Sequence, residues 1–381
     1  MDARGSHAGE GREPRVTRTR DGDDPFDGFR HEAQSFKEDM RMWHSDEYLE
    51  SLYKSITPAL RFDATTTEEW HVWRGRLRRR FEELLGRFPA GREALTPKVL
   101  ERIECEGYVR ERVEFTTFDG LRCPAYVLVP TGQASGERLP AVAAFHGHGY
   151  GSREVVGLSP AGESILERPT YQKNFGVELA KRGFVVVAPE IFGFGDRRLQ
   201  DEYARDKYSS CDRLSKVMLH LGRTMAGHRV HEAMRTIDYL CARDDVDVER
   251  IGCMGISGGG LVASFTAALD ERIKSTVVSG YVNTFKASIL DIDHCIDNYV
   301  PGLGEIAEMP DIVSLIAPRA LLMEAGTKDD IFPIDASLEA FERLRDVYDL
   351  LGVSSKLACD AFEGEHEISG AAAYDWLQRT V

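Results

Sequence analysis

The sequence has no cysteine pair at metal or redox spacing, no surplus of positive charge and no long apolar run. Its seven cysteines, at positions 105, 123, 211, 241, 253, 295 and 359, are odd in number and contain no CxxC. Neither a disulfide framework nor a tetrahedral zinc module is indicated. Buried, reduced thiols are the expected use of Cys123 and Cys253, which lie in strand-like runs. A formal net charge of −15 works against a nucleic-acid partner, which wants a basic face. Basic runs such as Arg74, Arg76, Arg78, Arg79 and Arg80 are broken by Gly75 and Leu77 and followed by Glu82 and Glu83, the pattern of a solvated helix face. Nowhere do about 18 apolar residues run together, as a membrane span requires. The polar start MDARGSHAGEGREPRVTRTRDGDD has no apolar centre of a secretory signal. These absences predict a cytoplasmic protein with no membrane partner.

What is present is an ordinary globular composition, 381 residues with 42% hydrophobic and 29% charged. A chain of this length buries roughly 75% of its unfolded surface and needs no metal or disulfide for stability. Residues 1–24 read as a flexible tail. Residues 25–106 read as a helical segment packing on the main domain, with TTTEEWHVWRGRLRRRFEELLGRF opening on N-cap threonines and acids. Trp43, Tyr48, Tyr53, Trp70 and Trp73 offer it a docking face. From 107 to 381 the texture changes. RERVEFTTFDGLRCPAYVLVP is a hairpin turned at Asp119-Gly120. LPAVAAF, FVVVAPE, IGCMGIS, STVVSGY, APRALLMEAG and SKLACDAF then alternate with helical stretches. Short apolar strands between helices predict a mostly parallel α/β sheet covered on both faces, with a mixed edge from the early hairpin. Polar stretches near 196–225 and 283–310 read as cap excursions.

The sharpest chemical signal is Gly255-Ile256-Ser257-Gly258-Gly259 between a strand and a helix-compatible LVASFTAAL. In GxSxG the serine sits on a tight strand-to-helix turn that exposes its hydroxyl. A neutral serine needs a base. His366 in DAFEGEHEISG follows the last strand, and Asp329 in MEAGTKDDIFP follows the one before it. Serine, acid and histidine thus stand in the order this architecture uses, with Asp329 orienting His366 and His366 deprotonating Ser257. The GxxDxxxP pattern of Gly326, Asp329 and Pro333 favours Asp329 over Asp330, and Glu324 is a rival further back in the strand. FHGHG follows an early strand and suits the oxyanion hole, with the backbone N–H of His148 joining that of Gly258.

These residues resemble the α/β-hydrolase superfamily, specifically dienelactone-hydrolase-like and acetyl-xylan-esterase-like proteins. The resemblance rests on FHGHG, APEIFGFGDRR, DVDVERIGCMGISGGG, AGTKDDIFP and FEGEHEISG and covers roughly residues 108–381. It implies Ser257 as nucleophile, Asp329 as its acid partner and His366 as base, acting on a small carboxylic ester, with an acetylated carbohydrate as one candidate and no cofactor or metal. Amide hydrolysis and a non-catalytic binding role are the alternatives. Candidate pocket residues are His146, Arg197, Arg198, Tyr281, His294 and Tyr299. A homo-oligomer is left open.

Overall fold

The computed structural model describes residues 45–381 apart from 87, 90, 119 and 135. The expected tail, the helical reading of 25–44 with Trp43, and Asp119 in the hairpin turn lie outside the described residues. The chain divides into two compact units, Met1–Ile56 and Thr57–Val381. In the first, helix α1 (Asp46–Ser55) carries Asp46 and Glu47 in its first turn and Lys54 in its last, so its side-chain charges complement the helix dipole. Tyr48 on it is exposed.

The second unit opens with α2 (Thr67–Leu85). Its start is fixed by a capping box: Thr66 accepts from Glu69 N at 3.2 Å, and the Glu69 carboxylate accepts from Thr66 N at 3.2 Å. Trp70, Trp73, Leu77, Phe81 and Leu85 recur at helical spacing and are all buried. The arginines lie on the other side of the helix, where Arg74 and Arg78 both reach Glu271.

Nine strands follow in the order β1-β2-β3-β5-β4-β6-β7-β8-β9. β1 (Lys98–Cys105), β2 (Tyr108–Phe118) and β3 (Leu121–Pro130) form an antiparallel meander. Residues 98–105, read from the sequence as part of the helical segment, are therefore strand. β3 then pairs antiparallel with β5 (Val185–Pro189). From there β4 (Leu139–Phe145), β6 (Val246–Ile256), β7 (Ser275–Ser279), β8 (Ala320–Gly326) and β9 (Leu357–Phe362) run parallel. β5, β7 and β8 are buried at every residue, as strands covered on both faces must be.

Alternate side chains feed two cores. Val142, Ala144, Val186, Met254, Val277 and Leu322 pack with α3 (Phe175–Lys181) and α8 (Ala373–Thr380) on one face. Ala143, Val187, Cys253, Val278 and Met323 pack on the other face with α2, α5 (Met225–Cys241), α6 (Gly258–Leu269) and α7 (Ile334–Leu350). Between β5 and α5 the first excursion carries α4 (Cys211–His220). The second, between β7 and β8, is built of short turns that include Lys286–Leu290 and Ile296–Asn298. Among the described residues, no helix is long and apolar enough to cross a membrane.

Candidate active site

β6 ends at Ile256 and α6 begins at Gly258, so Ser257 alone makes the turn. Its φ of 57° and ψ of −126° lie where a side chain is disfavoured, a strain of about 1–3 kcal/mol that concentrates at functional turns. The glycines around it permit the close approach. A Cβ on Gly259 would stand 2.1 Å from the carbonyl oxygen of Phe145, and one on Gly255 2.1 Å from that of Gly259. The Ser257 N–H donates to Ser279 O at 3.0 Å, which ties the elbow to the end of β7. Gly258 opens α6, so its N–H belongs to the first turn that a helix leaves unpaired.

Asp329 and His366 come together across the loops after β8 and β9. His366 Nδ1 lies 2.7 Å from Asp329 Oδ2, while Asp329 Oδ1 accepts the N–H groups of Ile331 at 2.8 Å and Phe332 at 2.9 Å. Burial alone would raise this carboxyl, but the hydrogen bond and charge of His366 and those two donors hold it below the usual aspartate range. Asp330 is exposed. The His366 ring is stacked between Tyr171 at 5.7 Å and Phe332 at 5.5 Å, and its Nε2 is buried without a partner. Gly280, with φ of +52°, lies so close that a Cβ there would sit 2.9 Å from His366 Cε1. His366 and Ser257 thus flank the same Ser279-Gly280 dipeptide. Neither the aromatic sandwich nor the need for Gly280 carries a signal in the sequence.

Glu324, the rival acid, faces elsewhere. Its carboxyl contacts Ser279 Oγ at 2.5 Å and Gly370 N at 2.8 Å, and burial lifts it to about 7.

The FHGHG loop is held from behind. Gly147 N donates to Gln172 Oε1 at 3.1 Å, and Tyr171 Oη donates to His148 O at 2.6 Å. His146 does not line a pocket, contrary to expectation. It is 1% exposed, its Nε2 accepts from Ile191 N at 3.0 Å and its Nδ1 lies 2.8 Å from Gly147 O. Burial pushes it down to about 3, so it is a neutral loop brace.

Three further pocket candidates are also turned to structural use. Arg197 makes a buried two-pronged ion pair with Glu232 at 2.6 and 2.7 Å. Arg198 donates to Gly195 O at 2.9 Å and Lys207 O at 2.5 Å, pinning the first excursion. Tyr281 is fully buried against Phe265 and Phe332. The sequence shows where these groups stand along the chain but not that a buried carboxylate waits for Arg197 on α5.

His294 and Tyr299 do line a space. With Asp212, Leu219, Asp293 and Cys295 they border a groove of about 680 Å³. His294 also lies edge-on to Phe332 at 5.6 Å, one ring away from His366. A second cluster escaped the sequence reading altogether. His148, Cys211, Cys295 and Asp297 present donor atoms all within 4.8 Å of one another, so residues of both excursions meet behind the FHGHG loop.

Comparison with known proteins agrees with this architecture. A family model described as the Abhydrolase family matches residues 29–346. The Bacillus subtilis (strain 168) protein YtaP, assigned as a hydrolase, is 33% identical over 284 residues, 72% of this chain and 88% of that protein. A Bacteroides fragilis NCTC 9343 structure assigned as an acetyl xylan esterase superposes with a TM-score of 0.71 at 19% identity, covering 84% of this chain and 82% of the other. A glucuronoyl esterase from Solibacter usitatus gives 0.60 at 16% identity over 84% and 95% of the two chains. At these identities the two structures speak for the fold. Since the matched stretch takes in most of the sheet, the serine elbow and Asp329, the chain belongs to the Abhydrolase family and has the α/β-hydrolase fold.

Proposed function

We propose that this protein hydrolyses carboxylic esters through an acyl-enzyme on Ser257. The observation that carries the reading is the His366–Asp329 pair, whose imidazole lies with its Cε1–Nδ1 edge beside the dipeptide that also anchors the serine elbow and keeps its buried Nε2 unpartnered. Ser257 Oγ attacks the carbonyl carbon while His366 Nε2 takes its proton, and Asp329 holds the resulting imidazolium in orientation. The backbone N–H groups of Gly258 and His148 receive the oxyanion. Collapse expels the alkoxide, which takes the proton from His366. A water then attacks the acyl carbon as His366 takes its proton, and collapse breaks the bond to Ser257 Oγ, releasing the acid as His366 returns the proton to Ser257.

The substrate is a small carboxylic ester, with an acetylated carbohydrate as the leading candidate. The support is the fold shared with proteins named acetyl xylan esterase and glucuronoyl esterase. The groove beside His294 has a volume within the range of small-molecule sites. Its Asp212 and Asp293 disfavour an anionic alcohol group. Seven free thiols fit a reducing, cytoplasmic setting.

The test is an acyl-chain series on one alcohol, run with acetylated sugars and matched amides, against wild type and Ser257→Ala. Short-chain ester turnover that vanishes in a folded Ser257→Ala variant, together with loss of labelling by a serine-directed phosphonate, is the expected result. Equal labelling of the variant at another serine would overturn the mechanism. A preference for long acyl chains or for amides would overturn the substrate class.

A further inference from the structure

We infer that the side chain of His148 is itself a catalytic residue, donating from Nδ1–H to the oxyanion beside the Gly258 amide, with Asp297 and Arg229 as its positioning residues. This rests on Ser257 as the nucleophile. The geometry is two-sided. A Cβ built on Gly258 would lie 3.0 Å from both Nδ1 and Cε1 of His148, so that edge of the imidazole covers the residue that follows the nucleophile. On the opposite edge, Nε2 is shut away from solvent and stands 3.3 Å from Asp297 Oδ2, an ion-pair contact that is not aligned as a hydrogen bond. The side chain is nonetheless 22% exposed, and that exposure belongs to atoms other than Nε2.

Asp297 is fixed with unusual thoroughness for a loop residue. Arg229 Nη1 donates to its Oδ2 at 2.5 Å and Asn298 Nδ2 to its Oδ1 at 2.7 Å. Arg229 is anchored in turn on Phe192 O at 2.9 and 3.1 Å and reaches Cys211 Sγ at 3.1 Å. Its guanidinium lies over Phe194, whose ring meets His148 edge-on at 5.0 Å.

The charges facing His148 are Asp297, Arg229 and Cys211, whose thiol is held low by the Cys295 hydrogen bond and the Arg229 charge, with Cys295 and the imidazoles of His146 and His294 nearby. Burial works against a charged imidazole, but Asp297 first and the Cys211 sulfur second more than offset it and lift His148 to about 9. At neutral pH both ring nitrogens therefore carry protons. When the ring loses one, Asp297 keeps the remaining proton on Nε2, and Nδ1 turns a lone pair toward the oxyanion.

The same cluster has the donor set of a thiophilic divalent cation. Arg229 argues against that use, because its guanidinium already bonds Asp297 and Cys211 and supplies the positive charge from within the chain.

The experiment compares wild type with His148→Phe, His148→Gln and Asp297→Asn, using p-nitrophenyl acetate, diethyl p-nitrophenyl phosphate labelling and metal analysis of the purified protein. Loss of an oxyanion donor lowers kcat by about 100-fold or more, so His148→Phe is expected to fall in that range with KM little changed and the fold retained. Wild-type kcat should decline as pH rises past about 9. That limb should be absent in His148→Gln and shifted to lower pH in Asp297→Asn. A folded His148→Phe with kcat within about twofold of wild type and the same pH limb overturns the inference while labelling at Ser257 stands. One equivalent of bound zinc, lost in His148→Gln, overturns it in favour of a metal site. Failure of Ser257 to label overturns the underlying mechanism instead.

Discussion

Replacing Glu324 by Gln isolates a buried carboxyl that sits beside the active site without belonging to it. Glu324 is 2% exposed, at the end of β8, and burial lifts it from the ordinary 4.5 to about 7. The two contacts, Ser279 Oγ and Gly370 N, are ones a glutamine can keep, with its carbonyl accepting from Gly370 and its amide donating to Ser279. The substitution therefore removes the charge and little else. The interval from 4.5 to about 7 corresponds to about 3 kcal/mol. Because the folded state holds the proton more tightly, this group's favourable contribution is complete below about pH 4.5 and is lost as pH rises through about 7. Urea unfolding of both proteins from pH 5 to pH 8.5 should show the variant gaining on wild type by about 2–3 kcal/mol across that span. Ester turnover per folded molecule should stay within a few-fold. A stability difference that is flat with pH would refute the burial argument. Loss of turnover in a folded variant would show that the Glu324 carboxyl supports the site through Ser279.

Other perturbations follow from the same geometry. Asp329→Asn should lower the acylation rate by about 10³–10⁴-fold by spoiling the orientation of His366, whereas Asp330→Asn, at an exposed position, should leave it within about twofold; stopped-flow acylation decides between them. Gly280→Ala forces a Cβ to within 2.9 Å of His366 Cε1 at a φ of +52°; kcat should drop by about 10-fold, and an unchanged rate would mean the ring has slack. Arg197→Met strands the buried Glu232 carboxylate and should destabilise by about 3–5 kcal/mol. Adding Glu232→Met should recover much of that loss in thermal melts, and a double variant no more stable than the single would count against a simple stranded charge.

The strands β4 to β9 were legible because each carries a short, mainly apolar run bounded by glycine, proline or a charged helix start, even where β6, β8 and β9 also hold charged residues. The order of Ser257, Asp329 and His366 was legible because each follows such a run. β1 was not, since KVLERIEC mixes charged and apolar residues and packs neither face into the core, leaving Val99, Leu100 and Ile103 exposed. Its strand state comes from pairing with β2. The His148–Asp297–Arg229 chain was equally hidden. Its members lie in three separate segments, and only the packing of the FHGHG loop and the second excursion against α5 makes them neighbours. Arg197 looked like a ligand for a substrate carboxylate because its partner, Glu232, is distant in the chain.

The strand order also sets a timetable for the growing polypeptide. The meander β1-β2-β3 can zip as soon as it is made, yet it reaches the rest of the sheet only through β5, and β4 becomes an interior strand only when β6 arrives on its far side. Such long-range pairings form slowly. The serine elbow is synthesised at the end of β6, Asp329 after β8, and His366 only after β9. A nascent chain therefore carries the proposed nucleophile for more than a hundred residues of synthesis before the proposed base is made, and the three residues can meet only after the last strand.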